Sequence, residues 1–122
     1  MITLDEAHEI AQAWINAWNT RDLDAIMAHY AEDIVFWSPL IVKRLGLESG
    51  TIQDKAQLRR YFAQGLETAP DLHFTLLKVF HGIDSIVIHY RRQNGTEAAE
   101  LMVLDTASHL VIMARVHYHP PL

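Results

Sequence analysis

The sequence contains no cysteine. That excludes a disulfide framework, a thiol nucleophile and a zinc–thiolate site. No run of basic residues occurs, and the formal net charge is −5 with histidine neutral. Nucleic-acid binding, which rests on clustered Lys and Arg neutralising phosphates, is not expected. No long uncharged apolar run is available for a membrane span. The opening Met1 to Asp5 leads directly into a helix pattern, without the basic and apolar regions of a signal peptide. A soluble cytoplasmic protein, not bound to a membrane, is the expectation. A Gly-rich phosphate loop, a G-x-S-x-G elbow and an H-E-x-x-H pair are also missing.

Half of the 122 residues are apolar, enough for the core of one domain over residues 1–122. Thr3 to Glu6 fits a capping box, and Ala7, Ile10, Ala11, Trp14, Ala17 and Trp18 follow at helical spacing. Asp22 can cap a second helix with Ile26, Met27 and Tyr30 as its apolar stripe. Ile34 to Trp37 is β-branched and aromatic, hence a strand, with Ile34, Phe36 and Ser38 sharing one face. Leu40 to Gly50 reads as an irregular loop or a short hairpin. A third helix is expected over Lys55–Thr68, capped by Asp54, with Leu58, Tyr61, Phe62, Gly65 and Leu66 buried.

Four strands follow, near residues 72–81, 86–93, 97–105 and 109–119, with Asn94-Gly95 as the clearest hairpin signal. Helices first and antiparallel strands later make an α+β pattern. Three helices cannot cover both faces of a long sheet. The expectation is a bent antiparallel sheet whose concave face holds the helices and a cavity.

Few polar residues stand inside the apolar strands. Glu100 heads Leu101-Met102-Val103-Leu104, and on a face shared with Met102 and Leu104 it looks inward. A carboxyl in an apolar cavity is driven toward its protonated form, which can donate to a carbonyl, while its anion can accept a proton. The plainer alternative is an exposed Glu at a strand end, or one paired with Arg115. Arg115 and His117 lie two apart and share a face, as a substrate anchor and a proton shuttle, or as a rim salt bridge and a structural histidine. His117, His119, His89 and Glu100 are zinc-ligand types without diagnostic spacing, and no metal is expected. Ser38 has no base partner in sequence, so it is not read as a nucleophile. Trp14, Trp18, Tyr30, Phe36, Trp37, Tyr61 and Phe62 are core residues, or in part cavity walls. Arg91-Arg92 reads as solvated strand surface.

From Ala17 to Phe36 the chain runs A-W-N-x-R-D-L-D-A-I-x-x-x-Y-A-E-D-I-x-F, followed by Ser38-Pro39. With Leu58, Tyr61 and Phe62, the Pro70 to Phe74 stretch, Gly95, Glu100 and the His117-Tyr118 ending, it resembles the nuclear-transport-factor-2-like superfamily, in its SnoaL-like and ketosteroid-isomerase-like branch. The resemblance covers nearly the whole chain. It implies a cystatin-like α+β cone, three N-terminal helices in the concave face of the sheet, a deep apolar pocket, and a homodimer through the outer sheet face. The isomerase's tyrosine donor falls on Trp14, its aspartate base on Ser38 and its protonated aspartic acid on Glu100. Pocket positions of the last strand fall on Met113, Arg115 and His117. A carboxyl group is therefore retained, but the base and the phenol donor are replaced.

The resemblance thus implies a small-molecule-binding protein without a cofactor, taking an apolar or carbonyl-containing ligand. Isomerase, cyclase, dehydratase or hydrolase chemistry would fall to Glu100, with His117 as shuttle and Arg115 as anchor. Trp14, Trp18, Tyr30, Phe36, Ser38, Phe62, Met102 and Met113 would line the ligand. A binding or dimerisation module without chemistry is the alternative. A turn bulged at Thr106–Ser108 would set Glu100 opposite Ala114 and change the side-chain parity.

Overall fold

The computed structural model describes residues 1–122. Its helices are α1 (Leu4–Asn19), α2 (Leu23–Met27), α3 (Pro39–Leu45) and α4 (Lys55–Thr68). Its strands are β1 (Tyr30–Trp37), β2 (Thr51–Gln53), β3 (Thr75–His81), β4 (Ser85–Arg91), β5 (Glu97–Leu104) and β6 (Val111–His119). They form one six-stranded sheet in the order β2-β1-β6-β5-β4-β3.

Local chemistry starts the helices. Thr3 Oγ1 accepts from the Glu6 N–H while Glu6 Oε1 accepts from the Thr3 N–H, a complete capping box at the head of α1. Asp22 accepts from the Ala25 N–H to cap α2, and Asp54 from the Gln57 N–H at 2.8 Å to cap α4. Helix α4 occupies the expected span and buries the expected stripe of Leu58, Tyr61, Phe62, Gly65 and Leu66. Tyr30, expected on the second helix, instead begins β1, because α2 closes at Met27. It is fully buried in either case.

The α+β class and bent sheet hold, but the element count differs. Residues 40–45 belong to helix α3, which begins at Pro39. Ser38 caps it, Pro39 sits in its first turn, and Gly46 ends it at φ 69. Seven residues were too few to show an apolar period, and the Ser-Pro start and Gly stop were the legible signals. The short β2 then pairs with β1, so three helices and five strands become four and six. The sheet is antiparallel except for β1 and β6, which run parallel.

One face of the sheet is apolar and covered. Ile34 and Phe36 from β1, Ile86 and Ile88 from β4, Met102 and Leu104 from β5, and Ala114 and Val116 from β6 join α1 and α4 in a single buried cluster. Asn19, the last residue of α1, accepts from the Phe74 N–H and donates to the Phe74 carbonyl, clasping α1 to the entry of β3. No helix is long and apolar enough to cross a membrane.

Candidate functional site

Two small irregularities decide which side chains meet. At the Asn94-Gly95 turn, the Gly95 N–H bonds the Arg92 carbonyl and the Arg92 N–H bonds the Thr96 carbonyl, with Gly95 at φ 87. The loop thus has three residues, 93–95, and its left-handed position suits glycine. A two-residue Asn-Gly turn would set Tyr90 opposite Ala99. The longer loop sets Tyr90 opposite Ala98 and Ile88 opposite Glu100, which puts Tyr90 and Glu100 on one face.

The second irregularity is in β6. Val103 pairs with Met113 and Leu104 with Val111, so Ile112 is an extra residue in the ladder. It sets Glu100 opposite Val116 and Ala98 opposite Tyr118. Val116 and Tyr118 therefore share the inner face with Glu100. Arg115, His117 and Met113 turn to the outer face, and the expected Glu100–Arg115–His117 grouping is not formed. The Arg115 guanidinium carbon instead lies 3.9 Å from the Trp37 ring centroid. His117 Nδ1 lies 3.1 Å from the Ala99 carbonyl oxygen, and Met113 stays beside Val103. The outer face also carries His89, paired with Glu97 at 2.7 Å, and His119, so neither shares a face with Glu100.

On the inner face, Glu100 is 3% exposed and accepts a hydrogen bond from the Tyr90 hydroxyl at 3.0 Å. Burial pushes its carboxyl up to about 7, against the opposing pull of that hydrogen bond. Three phenols from three strands surround it. Tyr30 and Tyr90 are driven well above a free phenol by burial first and the Glu100 charge second. Tyr118 is pushed up to about 12 by burial and Glu100, with Arg92 and Ser38 opposing.

Beside Glu100 lies a cavity of about 70 Å³. That is well above the roughly 10–15 Å³ that one water needs. Trp14, Trp18, Phe36, Ser38 and Phe62 are among the residues that line it. Tyr30 and Met102 are buried but stand outside the lining. The Trp14 indole N–H already donates to the Tyr30 hydroxyl at 3.0 Å. Ser38 Oγ accepts from the Leu40 N–H and so caps α3. The Trp18 indole N–H is buried without an acceptor, and the Trp18 and Phe62 ring centroids stand 4.9 Å apart.

Several lining residues escaped the sequence reading. Tyr90 and Tyr118 follow the inward alternation of their strands, but only the loop length and the Ile112 bulge set that alternation against Glu100. Arg44 comes from α3, the helix not anticipated. Arg92 also lines the cavity, so only Arg91 behaves as strand surface, 3.7 Å from Glu97.

Helices folded onto one face of a bent sheet, around an aromatic cavity with one buried carboxyl, define an α+β cone. The chain belongs to the SnoaL-like domain family, which matches residues 11–118. It is similar to a SnoaL-like protein of unknown function from Burkholderia thailandensis, at 39% identity and TM-score 0.92, covering 96% of this chain and 97% of that one. A protein of unknown function with a cystatin-like fold from Methylobium petroleophilum shares 18% identity at TM-score 0.77, covering 99% and 80%. A protein from Agrobacterium tumefaciens, provisionally described as an isomerase of the SnoaL-like family, shares 14% identity at TM-score 0.75, covering 94% and 98%. The last two likenesses speak for the fold alone. No curated protein matches the chain.

Proposed function

We propose that the cavity binds a small, largely apolar carbonyl compound and that Glu100 acts on it as a general acid and base, without a cofactor. The observation that carries this reading is a carboxyl buried on the cavity wall, hydrogen-bonded to Tyr90 and held near neutrality in its titration. Such a group is populated in both protonation states around pH 7, the condition for efficient proton transfer in either direction. The Glu100 carboxylate would take a proton from the carbon beside the carbonyl. The resulting enolate would receive a hydrogen bond from a wall donor. The new carboxylic acid would then return the proton to the same or a conjugated carbon. Trp18 lines the cavity and its buried indole N–H has no partner, while the Trp14 donor is engaged with Tyr30. Arg115 and His117, on the outer face, have no part in this reading.

Deuterium exchange tests it. β-Tetralone in deuterium oxide should exchange its α-hydrogens faster with the protein than without it, and Glu100→Gln should abolish the acceleration while leaving ligand binding in place. Binding without acceleration would favour a second reading, a carrier or sensor without chemistry. That reading is favoured by Ser38, which stands where the isomerase has its base and is occupied as a helix cap.

A homodimer through the outer sheet face belongs to the same proposal. Phe80 is 52% exposed there and supplies apolar surface for a second copy. Light scattering after size exclusion should give twice the chain mass.

A further inference from the structure

The chain is acidic overall, yet two guanidinium groups line its cavity. Arg44 comes from the last turn of α3, and Arg92 from just beyond β4. Arg59 pairs with Asp24, Arg91 with Glu97, Arg21 with the Leu66 and Ala69 carbonyls, and Arg115 with the Trp37 ring, while Arg60 is exposed on α4 outside the cavity lining. Arg44 and Arg92 make no ion pair and no side-chain hydrogen bond. Arg44 is exposed and Arg92 half-buried. Arg92 lies 5.3 Å from the Tyr118 ring centroid. Arg44 rests against Gly65 of α4, where a Cβ would stand only 3.1 Å from its Nη1. Both charges favour the anion of the Tyr61 hydroxyl, and Arg92 acts in the same direction on Tyr90 and Tyr118. Glu100, by contrast, has no cation among the groups that shift it. The cavity lining thus carries two cations without an ion pair and one neutralisable carboxyl.

We propose that the cavity takes an amphipathic carboxylate, its charged group held between Arg44 and Arg92 and its apolar body lying among the aromatic rings toward Glu100. The guanidinium pair supplies planar, charge-assisted donors matched to a carboxylate, and the rings of Trp14, Trp18 and Phe62 supply apolar contact. This deepens the ligand class of the proposed function, because it rests on the same cavity being the binding site.

The test compares hydrocinnamate with its uncharged amide, hydrocinnamide, by isothermal titration and by tryptophan fluorescence. The wild type should bind the carboxylate at least about tenfold more tightly than the amide. Arg44→Gln and Arg92→Gln should each weaken the carboxylate by about tenfold and change the amide by less than about twofold. Added salt should weaken only the carboxylate. Equal affinities, parallel losses for both ligands, or no carboxylate binding at millimolar concentration would each overturn the proposal. Selective carboxylate binding without tetralone exchange would sink the acid–base reading and leave this inference standing. Tetralone exchange without carboxylate preference would do the reverse.

Discussion

Tyr90 reaches Glu100 diagonally across two paired strands, and its hydroxyl donates to Oε1 at 3.0 Å. Ala98 lies between Tyr90 and Tyr118 in the same cross-strand row, so two phenols flank the approach to one carboxyl. The small Ala98 side chain leaves room for both rings. The pair sets how much the buried Glu100 costs the fold and at what pH.

Removing the titratable group should flatten the pH dependence of stability. The folded pKa of Glu100, about 7, lies above its ordinary 4.5. Between those values the unfolded chain releases the proton while the folded chain keeps it, so stability falls as pH rises and levels off above the folded value. The groups facing Glu100 are the phenols of Tyr30, Tyr90 and Tyr118, which stay neutral throughout this window. Glu100→Gln should therefore gain about 3 kcal/mol on the wild type between about pH 4 and about pH 8. Urea unfolding of both proteins at the two pH values measures it, and an unchanged difference would show an ordinary carboxyl.

Tyr90→Phe should raise the Glu100 pKa further, since the lost hydrogen bond favoured the anion. The variant should lose on the order of 1 kcal/mol at low pH and more above neutrality, where an ionised carboxylate would lack its donor. Carbon-detected titration of the Glu100 carboxyl reads the shift directly.

Gly65→Ala separates helix propensity from the Arg44 contact. Alanine in mid-helix is worth on the order of 1 kcal/mol over glycine. The added Cβ would press on the Arg44 guanidinium, the far end of an exposed, flexible side chain, which can move. The variant should melt higher and bind hydrocinnamate a few-fold more weakly. A lower melting temperature would mean that Arg44 is held rigidly.

Deleting Ile112 should be far more damaging than shortening any core side chain. Without the bulge, the β6 segment beyond it would turn Arg115 and His117 toward the core and Val116 and Tyr118 outward. Burying an unpaired guanidinium costs several kcal/mol. Circular dichroism should show loss of the cooperative transition, whereas Ile112→Ala, at a 36% exposed position, should cost under about 1 kcal/mol.

Much of the architecture was legible because it is encoded locally. The caps at Thr3, Asp22 and Asp54 are short-range hydrogen bonds, and the stripe of α4 repeats with the helix period. The shared face of Ile34, Phe36 and Ser38 likewise follows from alternation within one strand, whereas the same alternation left Glu100 open between an inward and an exposed position. Helix α3 was harder to read, since seven residues hold too few apolar positions to show a period. What faces Glu100 depends on how strands pair. One extra residue in the Asn94-Gly95 loop brings Tyr90 to its side, and one at Ile112 sends Arg115 and His117 away from it. A strand places successive side chains on opposite faces, so a single-residue change of register exchanges every partner. The sequence by itself determined the α+β cone and the caps that start α1, α2 and α4. Only the tertiary structure decided that the carboxyl meets phenols rather than a histidine and an arginine, and that the cavity's cations are Arg44 and Arg92.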